Sequence, residues 1–128
     1  MAVHSSGYFR SGMLINGTRY VANTNNTDLL NGAWHHLAIT YDGSTIRRYV
    51  DGIDKADTSI TGTVTSTSCK FLLGRYGTNT SYYSKEAYLS DARIYCTALS
   101  ANDIKHLYEV GAKVDDKQNL HTYEIIEN

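Results

Sequence analysis

Three dipeptides, Asn16-Gly17, Asp42-Gly43 and Asp51-Gly52, each stand between runs of β-prone residues, and they constrain this chain more than any other feature. Asn-Gly and Asp-Gly accept the left-handed backbone of tight turns, so the segments on either side fold back on one another as antiparallel strands. Gly7 to Ile15 meets Asn16-Gly17 and returns as Thr18 to Ala22; Trp34 to Tyr41 meets Asp42-Gly43; Thr45 to Val50 meets Asp51-Gly52 and is answered by Ile53 to Ala56. Turn signals at intervals of roughly 8 to 12 residues are those of an antiparallel sandwich.

Composition agrees with that reading. The 128 residues suffice for one domain, 1–128, around a single core. Proline is absent while tyrosine occurs 11 times, a bias toward sheet joined by polar turns. Twelve basic and thirteen acidic residues give a net charge of -1. They divide 5 to 5 before residue 65 and 7 to 8 after it, so no polybasic half exists to neutralise phosphates and nucleic acid is not an expected partner. No apolar run approaches the ~20 residues of a membrane-spanning helix, and membrane insertion is not expected. Met1 to Ser6 lacks the pattern of a secretory signal.

The remaining elements follow from pattern. Trp34 to Tyr41 is apolar on both faces apart from His35, His36 and Thr40, which predicts a central strand. Asp57 to Ser68 is almost all Thr, Ser and Gly and suits an edge or a surface crossing. Cys69 to Leu73 reads as a buried strand, Arg75 to Lys85 as a loop, and Tyr88 to Cys96 as a strand with Ala92, Ile94 and Cys96 on one face. Ser100 with Asp103 forms a capping box, Leu99 and Ile104 are placed as a hydrophobic staple, and Gly111 is the natural stop. The tail 112–128 holds a charged turn, Asp115 to Asn119, and a final strand, Leu120 to Ile126. The fold class is all-β, an antiparallel two-sheet sandwich with one short helix near residues 101–109.

Five blocks carry a resemblance. Gly32-Ala33-Trp34-His35-His36-Leu37-Ala38-Ile39-Thr40-Tyr41-Asp42-Gly43, Tyr49-Val50-Asp51-Gly52, Leu72-Leu73-Gly74-Arg75, Leu89-Ser90-Asp91-Ala92-Arg93-Ile94-Tyr95, and Ala98-Leu99-Ser100 with Asp103-Ile104-Leu107-Tyr108 resemble, in order, the laminin-G-like (concanavalin A-like) jelly-roll family. The resemblance runs from about residue 30 to residue 110 and implies a curved two-sheet jelly roll. It also implies further strands before the Trp-His-His block; only about thirty residues precede it, so the family's N-terminal strands are expected to be missing. Exposed sheet edges would then be covered by a homo-oligomer or a partner chain. The tail Asp115 to Glu127 is similar to tails that follow such modules in structural proteins of bacterial viruses, which implies a virion or extracellular surface. The family further implies a calcium ion at the sandwich rim, for which Asp42, Asp51 and Asp91 at strand ends are the candidates, although each also has a turn or salt-bridge role available and Ser90-Asp91 stands where many members have two acidic residues.

Some sandwiches of the superfamily hydrolyse glucans with carboxylates alternating along one strand. Here Asp51, Asp54 and Asp57 fall at intervals of three across a turn, so no catalytic residues are assigned. Consecutive His35 and His36 point to opposite strand faces and cannot chelate one metal, and His36 is expected to be a hydrogen-bonded core imidazole. Cys69 and Cys96 are expected to be buried small hydrophobes, with a bridge as the lesser alternative. Tyr76, Tyr82 and Tyr83 flank Gly77, Thr78, Asn79, Thr80 and Ser81, where flat rings meet amide and hydroxyl groups. That chemistry suits sugars, a protein partner, or tyrosines folded back on the sheet. Asn23, Asn25 and Asn26 form a second polar loop of the same kind. The candidate ligand-binding residues are therefore Tyr76, Asn79, Tyr82, Tyr83 and Asn25, with a glycan or surface polysaccharide as the ligand. The sequons at Asn16, Asn25 and Asn79 would be acceptors in a secreted eukaryotic protein, and Asn16 has a sufficient turn role. The expected function is non-catalytic carbohydrate recognition, with a structural domain of a phage particle as the alternative.

Overall fold

The computed structural model describes residues 1–24, 29–65, 74 and 88–115. They form β1 (Ala2–Val3), β2 (Phe9–Ile15), β3 (Thr18–Asn23), β4 (Leu37–Tyr41), β5 (Thr45–Val50), β6 (Ile53–Ser59) and α1 (Ala101–Asp115). One antiparallel sheet has the order β1-β2-β3 and a second the order β4-β5-β6. The turn dipeptides close both meanders as read from sequence. Asn16-Gly17 sets Ile15 opposite Thr18 and Asp51-Gly52 sets Val50 opposite Ile53. In both turns the two residues have positive φ, the combination whose twist matches paired strands. At Asp42 the turn is wider: its Oδ1 accepts the backbone N–H of Ser44 at 2.9 Å and of Thr45 at 2.8 Å.

The core lies where the inner faces meet. Phe9 of β2, Val50 of β5 and Leu29 are buried together, with Met1, Val3 and Leu37 packed against them, and Ile15 and Ile46 are fully buried beside this cluster's strands. Between the sheets also runs a charged side chain. Arg48 is fully buried; its Nε donates to Ser11 Oγ on β2 at 2.8 Å and Nη1 to Thr58 Oγ1 on β6 at 3.0 Å. Burial lowers its pKa, and Nη2 has no hydrogen-bond partner. The Thr- and Gly-rich crossing after β6 is pinned to the first hairpin. Asn16 Oδ1 accepts from Thr63 N–H at 3.0 Å, Asn16 Nδ2 donates to Thr61 O at 3.4 Å, and Val64 bridges Ile15.

Four sequence expectations are corrected. The strand read as Trp34 to Tyr41 begins only at Leu37 and, among the described residues, pairs with β5 alone; the Asn31-Gly32 turn bends residues 31–33 instead. β5 is therefore the central strand. Tyr88 to Cys96 forms no strand: it joins no ladder among the described residues, and Tyr88, Leu89 and Ile94 lie in solvent, because an alternating pattern becomes a strand only when a ladder partner is beside it. The helix does not stop at Gly111 but runs on to Asp115, because a helical glycine costs only about 1 kcal/mol and Ala112 and Lys113 after it are good helix formers. Cys96 is exposed and unbridged rather than buried. Cys69 and the expected strands Cys69 to Leu73 and Leu120 to Ile126 lie outside the described residues.

The helix start matches its reading. Asp103 N–H donates to Ser100 Oγ at 3.2 Å and Ser100 N–H donates to Asp103 Oδ2 at 2.9 Å. Ile104 is buried with Leu107 and Tyr108 partly covered, so the predicted apolar face is the docked one. It rests on the β5–β6 turn: a Cβ placed on Gly52 would lie 3.1 Å from Lys105 Cα and 3.3 Å from the Tyr108 ring, and Gly52 has φ +75°. Only glycine satisfies both conditions.

Candidate functional site

The described residues bring chemistry together at the rim where the chain enters β4. Asp51, held in the β5–β6 turn, engages that entry with both oxygens. Its Oδ1 accepts His36 N–H at 2.9 Å, and its Oδ2 lies 2.8 Å from His35 Nδ1. His35 Nε2 is 3.0 Å from Asn31 Oδ1, which also accepts Ala33 N–H at 2.9 Å. Gly32 supplies the left-handed turn between them at φ +81°. The two histidines diverge at the entry to β4. His35 joins this polar network, whereas the His36 ring is half-buried 6.3 Å from the ring of Tyr108 on α1. The expected hydrogen bond to His36 is absent among the described residues, because Nδ1 is buried against the helix without a partner. Burial pushes the His36 pKa down, with Asp51 and Asp91 acting against that and Arg93 adding to it. Between the fixed residues stands Trp34, 57% exposed.

The calcium candidates do not converge. Asp42 Oδ2 takes Arg47 Nη1 at 2.6 Å while Oδ1 caps the turn; the Arg47 guanidinium first, then the Ser44 and Thr45 donors, hold its carboxyl far below the usual range. Asp51 is saturated as above, and Asp91 Oδ1 accepts Arg93 Nε at 2.7 Å. Hydrogen-bond donors occupy the positions a hard cation would need, and no cluster of three potential metal ligands exists among the described residues. These carboxylates do not fit a calcium site. The other candidates, Tyr76, Asn79, Tyr82, Tyr83 and Asn25, lie outside the described residues.

Two features escaped the sequence reading. The exposure of Trp34 had a signal, since Asn31-Gly32 is itself a turn dipeptide that should have shortened the strand. The second is an acid pair. A register shift between Arg48 and Tyr49 sets Tyr49 opposite Asp54 but Arg47 opposite Asp57, leaving Lys55 as the extra residue of a β-bulge and placing both aspartates on one face. Partial burial, followed by the Asp57 charge on the same face, raises the Asp54 pKa. Nothing in the sequence announces a bulge.

A family model described as the concanavalin A-like lectin/glucanases superfamily, of laminin-G type, matches residues 1–105. The chain belongs to this superfamily. The two antiparallel sheets and one helix of the described residues fit a concanavalin A-like sandwich, and the match takes in the first hairpin, the first four blocks and the fifth as far as residue 105. A solved structure of an S-layer domain-containing protein from Clostridium thermocellum (residues 221–444) is similar, with 26% identity and a TM-score of 0.53, covering 80% of this chain. This concanavalin A-like chain spans about half of that one, 52% of its length. A search of curated proteins returns no match.

Proposed function

We propose that this concanavalin A-like chain is a non-catalytic recognition module that binds carbohydrate at a cell or virion surface. The observation carrying the reading is the aromatic surface left in water on segments outside the ladders: Trp34, Tyr88 and Tyr95. Aromatic faces and the apolar C–H faces of sugars are complementary, and flanking polar groups meet the hydroxyls. A superfamily whose description includes lectins supports the reading, and likeness to an S-layer domain-containing protein supports a bacterial surface as the setting. A glycan array tests the reading with wild type, Tyr82→Ala and Tyr88→Ala. Binding weakened by either substitution is the expected result, and no binding to any glycan would overturn the proposal.

A second reading, an assembly domain making protein–protein contacts in a particle or surface layer, is favoured by a separate observation. β4 has an open edge among the described residues, and Tyr88, Leu89 and Ile94 are exposed at 86%, 63% and 76%. Light scattering decides it: a dimer or larger species supports assembly, and a monomer at every concentration removes it.

A further inference from the structure

We infer that Trp34 is a stacking platform for a neutral pyranose, a subsite of the carbohydrate-binding surface proposed above, on whose existence this inference rests. The backbone around this residue is fixed while its ring is not covered. Ala33 is bonded to Asn31, the His35 ring is clasped between Asn31 and Asp51, and His36 N–H is bonded to Asp51, all between 2.8 and 3.0 Å. An indole carried largely in water on such a frame presents a large apolar face whose burial is favourable. The turn itself needs no exposed tryptophan, because every hydrogen bond that holds it comes from a neighbour.

The charges around the turn select the class of sugar. Among the described residues Asp51 is paired with His35 and Asp91 with Arg93, so the carboxylate of a uronic or sialic acid would face two aspartates whose partner cations are already engaged. A neutral ring meets no such penalty: its C–H face covers the indole, and its hydroxyls meet the exposed Asn31 amide beside it.

The chain has one tryptophan, so its intrinsic fluorescence reports on this position alone. The intact protein is titrated with neutral polysaccharides (glucan, mannan, galactan) and with polygalacturonate. The expected result is a blue shift and protection from acrylamide quenching with a neutral polymer and neither with polygalacturonate. In a fluorescence-independent pull-down, Trp34→Ala should weaken binding about tenfold, as expected for the loss of one aromatic contact, while Trp34→Phe retains most of it. Glycan binding that leaves the emission unchanged and survives Trp34→Ala overturns this inference and leaves the parent proposal standing. A shift produced by polygalacturonate overturns the neutral-sugar assignment. A shift on raising protein concentration without sugar makes Trp34 a self-contact and overturns the inference. Absence of binding to every polymer sinks both.

Discussion

Arg48 shows how much one side chain can hold between two layers. Fully buried, it links β5 to Ser11 across the interior and to Thr58 beside it, yet one nitrogen stays without a partner. Cutting one link is costly because it leaves a buried charge less satisfied, so Ser11→Ala should destabilise by about 1–3 kcal/mol in urea denaturation. Replacing the whole charge with an apolar chain of similar length removes the desolvation cost too, and Arg48→Met should be neutral or stabilising in the same measurement. His36 adds a dependence on pH. Burial sets its folded pKa below the ordinary 6.5, so the neutral form is favoured in the fold. Stability is full above the unfolded value and falls as the pH drops from 6.5 through the folded pKa. His36→Gln should flatten that part of a stability–pH curve, read by thermal melting at constant ionic strength.

Elements were legible in the sequence where a local signal sufficed. Asn16-Gly17 and Asp51-Gly52 fixed two hairpins, and Ser100 with Asp103 fixed the helix start, because turn and cap chemistry acts within four residues. What depends on distant neighbours was not legible. Tyr88 to Cys96 alternates as a strand does, but a strand exists only through its partner. The bulge at Lys55 and the meeting of Asp54 with Asp57 come from register across β5, which no local pattern encodes. At the candidate site, Asp51 and His35 were each visible as residues, while the clasp they make around the β4 entry required the second hairpin to bring residue 51 beside residue 35. The helix contact gives an element-level prediction. Gly52→Ala combines positive φ with a close approach to Lys105 and Tyr108, and should cost about 1–3 kcal/mol in thermal unfolding, with protection lost first in the amides of α1. Ser100→Ala, which removes the cap alone, should cost about 1 kcal/mol.

For the molecule as a whole, the donor-filled carboxylates at Asp42, Asp51 and Asp91 predict that a chelator leaves the melting temperature unchanged, while a chelation-induced fall restored by calcium would contradict the geometry. The margins of the second sheet are unequal. On β6 the bulge at Lys55, with acids at Asp54 and Asp57, kinks and charges the outer border. On β4 the border is Leu37, Ala38, Ile39, Thr40 and Tyr41, flat and uncharged. A sheet that accepts a neighbour on one side and rejects it on the other can be completed once but not extended indefinitely. Among the described residues, a strand docking on this border would complete the second sheet on one side without preparing its other side for further growth.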